Sequence, residues 1–267
     1  MSQELARFRV AKEREIVTLK RFPPSAEALA TALSQKRPNF LGALKTAFEN
    51  KGFGLIAEYK RASPSLGDID LELTPQAAVE AYSAADVISV LTEETYFKGS
   101  LAFLTDLAKS HKPLLRKDFI FDPLQIAATA LTPAAAVLLI VRLTPEPKLL
   151  AELIKNSLAL KIEPVVEVYD SRDLELAREG GARVILVNSR DLETLKVDLA
   201  GPVNLIKKSP PRPEEFWIAA SGLKTTADLA RVKEAGFGAA LLGSSLMASA
   251  NPKKTLNSLL EELGRLN

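Results

Sequence analysis

Glu58 and Lys60 stand two residues apart at the end of the apolar run GLIAEYK, residues 54–60. Alternate side chains of a β-strand share a face, so this spacing brings a carboxylate and an ammonium into one small space. Such a pair suits proton transfer, because the carboxylate favours the charged amine while burial opposes it, and the balance sets how readily the proton leaves. Three further apolar runs carry polar groups in the same way. One leads into Arg116-Lys117-Asp118-Phe119, one contains Glu167, and one ends in Asn188-Ser189-Arg190-Asp191. A single charged strand end is as readily a solvated residue as a functional one, but four together predict a shared polar rim.

Composition narrows the chemistry of that rim. Cysteine is absent, which excludes disulfides and thiolate nucleophiles. The one histidine, His111, lies in a Ser-His-Lys-Pro stretch with the signature of a surface loop. Acid and base roles therefore fall to Lys, Glu, Asp or Tyr, and no metal site is expected. Two glycine-serine turns follow the last apolar runs, Ser221-Gly222 and Gly243-Ser244-Ser245. Glycine permits close backbone approach and serine supplies hydroxyl donors, the make-up of a phosphate cradle. Ser63, in the segment RASPS after the first run, is placed to complete it. The expected ligand is a phosphorylated small molecule.

These residues need a scaffold that brings distant strand ends together. Eight short apolar runs recur from residue 54 at intervals of roughly 20 to 33 residues, the rhythm of β/α units. They are GLIAEYK, DVISVLT, PLLRKD, AVLLIVR, PVVEVY, RVILVN, FWIAAS and GAALLGS, and continuous apolarity predicts parallel strands covered on both faces. Between them, Thr74-Pro75, Asp122-Pro123, Thr144-Pro145, Asp170-Ser171 and Thr225-Thr226 mark helix starts, and Gly180, Gly181 and Gly236 mark stops. The predicted fold is a (β/α)8 TIM barrel in a single domain over residues 1–267. Residues 1–50 form an N-terminal helical extension of two or three helices, split at Arg21-Phe22-Pro23-Pro24, and 51–267 the barrel. A length of 267 residues needs no second domain in this class.

With 35 basic against 33 acidic side chains, the net charge of +2 gives no field that argues for nucleic acid. No apolar run approaches the roughly 20 residues that span a bilayer, so no membrane partner is expected. Glu4, Glu13 and Glu15 argue against a transit peptide. A cytoplasmic protein is expected, with a monomer favoured because no exposed apolar stripe stands out.

Taken together, the motifs resemble those of the indole-3-glycerol phosphate synthases. The likeness covers nearly the whole chain, through IAEYKRASPS, SVLTEETYFKGS, PLLRKDFIFDPLQI, AVLLIV, VVEVYD, VNSRDLETLKVDL, ASGLKT and LLGSSLM in the family's order and spacing. The resemblance implies the substrate 1-(2-carboxyphenylamino)-1-deoxyribulose 5-phosphate, cyclised with loss of carbon dioxide and water, and implies no cofactor. On the family's pattern Lys117 is the general acid for ring closure, with Phe119 packed beside it. Glu167 matches the acid-base residue of the dehydration, and Lys60, held by Glu58, lies near the substrate carboxylate; the final proton is left to either Glu167 or Lys60. Asn188, with Arg190 behind it, positions the anthranilate part between apolar walls of Phe97, Leu138 and Leu192. Ser63, Ser221, Gly222, Gly243 and Ser244 match the phosphate positions, and the N-terminal helices match an extension that partly covers the site.

The chain also departs from that pattern. Where the family usually has Ala-Glu-Ser-Gly on the seventh strand, this sequence has Ala219-Ala220-Ser221-Gly222, so one carboxylate expected in the site is missing. Losing an acid from such a cluster shifts the proton affinities of the remaining groups by about a unit or more. Leu186 in place of a frequent glycine, and Thr132-Pro133-Ala134 in place of a frequent Gly-Ala-Asp turn, are structural differences. Two alternatives stand beside the family activity: a Schiff-base aldolase, since a lysine beside a glutamate can form an imine, and a non-catalytic barrel that binds the phosphorylated ligand, with Ala220 as the mark of lost chemistry. Phosphoribosylanthranilate isomerase, a barrel of the same pathway, uses a cysteine base that this chain lacks.

Overall fold

The computed structural model describes residues 3–144, 146–191, 194 and 196–265. Each of the eight apolar runs contains one strand: β1 Gly54–Tyr59, β2 Val87–Leu91, β3 Leu114–Lys117, β4 Ala136–Ile140, β5 Glu163–Val168, β6 Val184–Asn188, β7 Phe216–Ala220 and β8 Ala239–Leu242. All neighbours pair in parallel, and β1 bonds to both β2 and β8, so the sheet closes into a barrel. One way round, Glu58 of β1 leads through Ser89, Leu115 and Ala136 to Glu163 of β5. The other way, Gly54 leads through Ala239, Ile218 and Leu186 to Glu167. The two routes differ by four residues at each end, so a full circuit slips by eight, the stagger of a (β/α)8 barrel with strands tilted about 36° to its axis.

That geometry explains why the runs are apolar throughout. Ile56, Val87, Leu115, Leu138, Val165, Leu186, Ile218 and Leu241 fill the barrel interior. Their neighbours Leu55, Ile88, Val137, Val166, Ile185, Trp217 and Ala240 face the helices. Two residues on from the inward set, the same face presents Glu58, Ser89, Lys117, Ile140, Glu167, Asn188, Ala220 and Gly243. Charged side chains on the inward face therefore begin one pleat above the packed core.

Three helices precede β1: α1 Gln3–Arg21, α2 Ala26–Ser34 and α3 Phe40–Lys51, with the break at the expected Phe22-Pro23-Pro24. Ser25 and Asn39 accept backbone N–H bonds as caps, and Gly52 ends α3 in the left-handed conformation. α1 buries Leu5, Phe8, Lys12 and Ile16, a stripe at three- and four-residue spacing that includes one lysine. Thr74, Asp122, Asp170 and Thr225 cap the helices they were expected to open. Thr144 does not: its hydroxyl bonds to the Ile140 carbonyl and the helix begins at Pro147, while Pro145 lies outside the described residues. After β1 the chain forms a small antiparallel hairpin, Ala62–Ser63 against Gly67–Asp68, that its length and polarity did not predict. His111 is an exposed left-handed residue before β3. Among the described residues no helix is long and apolar enough to cross a membrane.

Candidate active site

A cavity of about 790 Å³ opens over the C-terminal strand ends, lined by Glu58, Lys60, Lys117, Glu167, Asn188 and Arg190 among others. The Lys60 ammonium lies 2.8 Å from Glu58 Oε1, and the Lys117 ammonium 4.0 Å from Glu58 Oε2. Two cations from β1 and β3 thus share one carboxylate. Glu58 is buried, and burial alone would push its carboxyl upward. The charges of Lys60 and Lys117, the Lys60 hydrogen bond and Arg190 together outweigh that and hold it below its ordinary value. It is an anion at neutral pH.

Across the mouth, Glu167 is also buried, and its Oε1 accepts from the Asn188 amide at 2.9 Å. Asn188 Oδ1 in turn accepts the Arg190 backbone N–H at 2.9 Å, which fixes the amide's orientation. Glu167 Oε2 is buried with no hydrogen-bond partner, an arrangement that leaves one carboxylate oxygen ready to accept from a ligand. Burial lowers the Arg190 guanidinium against the pull of Glu58, yet a guanidinium stays charged.

An aromatic wall stands beside Lys117. Phe8 of α1 stacks on Phe119 with ring centroids 4.2 Å apart and planes 10° from parallel, while Phe97 lies 6.0 Å from Phe119. Phe97 is presented by a turn in which the buried Glu93 carboxylate accepts the N–H groups of Thr95, Tyr96 and Phe97. Phe8, Phe97 and Phe119 all line the cavity, and flat aromatic faces suit an aromatic ligand.

At the opposite side, Ser63, Ser221, Gly222, Gly243, Ser244 and Ser245 line one corner of the same cavity. Ser221 and Gly222 both take left-handed backbone, φ 69° and 76°. A serine held there stores strain that its surroundings must impose, a pattern found at ligand clamps. Ser63 Oγ accepts the Leu66 N–H at 3.3 Å, closing the turn of the hairpin after β1 over this corner. Lys224 lines the cavity nearby. Among the described residues no group of three or more His, Cys, Asp or Glu gathers as metal ligands would.

The profile of the indole-3-glycerol phosphate synthase family matches residues 5–259. The chain belongs to that family. Proteins named indole-3-glycerol phosphate synthase are 40% identical over 257 residues in Desulfosudis oleivorans, covering 94% of this chain and 96% of the relative. In Chlorobium phaeovibrioides the identity is 40% over 244 residues, with 90% and 92% covered. In Dehalococcoides mccartyi it is 42% over 212 residues, with 77% and 81% covered. Among solved structures, a 3-hexulose-6-phosphate synthase superposes with TM-score 0.62 at 18% identity, covering 78% of this chain and 99% of that one. The Salmonella typhimurium 3-hexulose-6-phosphate synthase gives TM-score 0.61 at 17% identity, with 80% and 100% covered. At such identities these two show the barrel fold alone.

Set against the synthase pattern, the cavity gathers Glu58, Lys60, Ser63, Phe97, Lys117, Phe119, Glu167, Asn188, Arg190, Ser221, Gly222, Gly243 and Ser244. Leu138 it does not gather: that side chain sits one pleat lower in the barrel core, and Ile140 lines the cavity from β4 instead. Leu192 lies outside the described residues. Arg116, Asp118 and Asp191, expected at the rim, turn away from it because they alternate with Lys117 and Arg190. Arg116 and Asp118 lie fully buried behind the strand, and Asp191 lies 3.6 Å from Arg142. Phe8, Val197 and Leu199 line the cavity and were missed. The buried stripe of α1 was legible as an amphipathic pattern, but nothing in it says which strand it meets. Val197 comes in through an antiparallel bridge to Arg190, a pairing too short to leave a sequence signal.

Proposed function

We propose that this chain converts 1-(2-carboxyphenylamino)-1-deoxyribulose 5-phosphate to indole-3-glycerol phosphate, carbon dioxide and water, acting as a carboxy-lyase of tryptophan biosynthesis. The observation that carries the assignment of roles is the meeting of the Lys60 and Lys117 ammonium groups on Glu58, at 2.8 and 4.0 Å, within one mouth. In ring closure the ring carbon bearing the carboxylate attacks the ribulose carbonyl carbon. Lys117 gives its proton to the carbonyl oxygen, which becomes a hydroxyl. Carbon dioxide then leaves, and its bonding electrons return the ring to aromaticity. The cationic ring is its own electron sink.

Dehydration needs an acid for the departing hydroxyl and a base for the proton on the adjacent carbon. The Lys60 ammonium suits the acid, and Glu167, with Oε2 unpartnered, suits the base. Asn188 and Arg190 orient the anthranilate carboxylate, Phe8, Phe97, Phe119 and Ile140 hold its ring, and Ser63, Ser221, Gly222, Gly243 and Ser244 seat the phosphate. Holding both ends of the substrate keeps the flexible ribulose in the conformation that cyclises.

Adding the anilino-ribulose phosphate to the protein should produce indole fluorescence, and Lys117→Ala should bind the same compound without producing it. Binding by the unaltered protein with no fluorescent product would establish the non-catalytic barrel instead. A borohydride-trapped lysine adduct would point to an aldolase.

A further inference from the structure

Gly243 follows β8 directly. Because Ala57 pairs with Leu242, the register carries residue 243 alongside Glu58 of β1. Its φ of −118° is not left-handed, so a positive φ does not call for glycine here as it does at Gly222, with φ 76°. Space does. A Cβ on residue 243 would stand 2.2 Å from Glu58 Oε1, 3.0 Å from Glu58 Cδ and 3.2 Å from Lys60 Nζ. The contact at 2.2 Å is well inside van der Waals distance, so something must move.

The group in the way is the end of a side chain, which would ordinarily swing aside. Glu58 is only 3% exposed, however, and it is bonded to Lys60 on one oxygen and faces Lys117 on the other. Any rotation that clears a methyl at 243 takes Oε1 away from Lys60. We propose that Gly243 is a positioning residue for the catalytic charges: its missing side chain is the seat that lets the Glu58 carboxylate lie between the Lys60 and Lys117 ammonium groups. This rests on the roles given to those lysines above, and it goes beyond a phosphate contact. If Gly243 served the phosphate alone, an added methyl would weaken phosphate binding and leave the ion pair untouched.

The geometry can be tested by exchanging size between the two positions. Aspartate is shorter than glutamate by one carbon–carbon bond, about 1.5 Å, so Glu58→Asp makes the room that Gly243→Ala takes. The four proteins are the unaltered chain, Gly243→Ala, Glu58→Asp and the double variant. Gly243→Ala should lower kcat by about 30-fold or more, while inorganic phosphate as a competing ligand loses no more than about threefold in affinity. The acid limb of its kcat profile should move to higher pH, because the displaced carboxylate loses its cations and keeps its burial. The kcat of the double variant should be about fivefold or more above the value that multiplying the two single losses predicts. An unchanged kcat with weakened phosphate binding in Gly243→Ala, or single effects that simply multiply, overturns the proposal. So does a double variant that cannot fold when Gly243→Ala also cannot. If the unaltered chain forms no product, the catalytic reading alone fails. The seat is then scored by the melting temperatures of the same four proteins, where additive shifts overturn it.

Discussion

Lys117, the last residue of β3, and its two neighbours in sequence belong to different clusters of charge. Arg116 and Asp118 point behind the strand, where both Asp118 oxygens are engaged: Oδ2 accepts from Lys12, Thr92 and Arg116, and Oδ1 from the Phe119 N–H. Arg116 donates from Nε to Thr92, from Nη1 to Thr129 and from Nη2 to Glu15. Lys117 points the other way, into the cavity, where it and Lys60 share Glu58 and where Glu167 keeps one oxygen unpartnered. Both clusters mix signs around buried carboxylates. A central carboxylate with both oxygens engaged within the protein makes the rear one a fastener. Spare valence makes the front one available to a ligand.

The sharpest way to break that contrast is to remove one member of each. Asp118→Ala leaves the buried Arg116 and Lys12 with Glu15 as their remaining carboxylate, and should cost about 3–5 kcal/mol of stability in denaturant titration. Lys117→Met should leave the unfolding midpoint within a few degrees and lower kcat by roughly a hundred- to a thousandfold in the fluorescence assay. Equal stability losses in the two variants would erase the distinction.

Acid should weaken the rear cluster next. The cations around Asp118 outweigh its burial and hold its carboxyl below the ordinary value. Its contribution to stability is therefore complete above the unfolded value of about 3.9 and drains away as pH falls through the lower folded value. Thermal melts of the unaltered protein should show an acid loss below about pH 4 that is smaller in Asp118→Asn. The smallest effect is expected from Ala220→Glu, which adds a carboxylate to the front cluster only. Like charge raises the carboxyls around it, so the acid limb of kcat should move up by about a unit with little change in melting. A melting temperature that falls with the limb unmoved would mean that residue 220 belongs to the packing rather than to the site.

Much of this contrast was legible in the sequence, and its limits have a physical cause. Strand alternation told which side chains share a face, so Glu58 with Lys60 followed from spacing alone. Alternation does not give height, which the eight-residue slip of the barrel sets; Leu138 and Ile140 share a face, and only the upper one reaches the cavity. Nor does it say whether an outward charge meets water or a partner. Arg116 and Asp118 looked like rim residues because their partners, Lys12 and Glu15, lie about a hundred positions earlier in a helix whose docking face is set by tertiary packing. Gly243 was assigned to phosphate on its type and place, and its contact with Glu58 came from the β1–β8 register, which no local pattern encodes.

Residues 3–21 are fastened by Lys12 to Asp118, 106 positions away, and by Arg9 to the Leu143 carbonyl, 134 positions away. A chain made from its N-terminus exposes this first helix long before either anchor exists. Until residue 143 has been made, the buried stripe of Leu5, Phe8 and Ile16 lacks part of the surface that will shield it from water. The helix that gives Phe8 to the pocket is thus made before the groups that fasten it and can take its final place only after them. A nascent-chain length series probed by proteolysis within residues 3–21 should show protection arising only after β4 has cleared the ribosome.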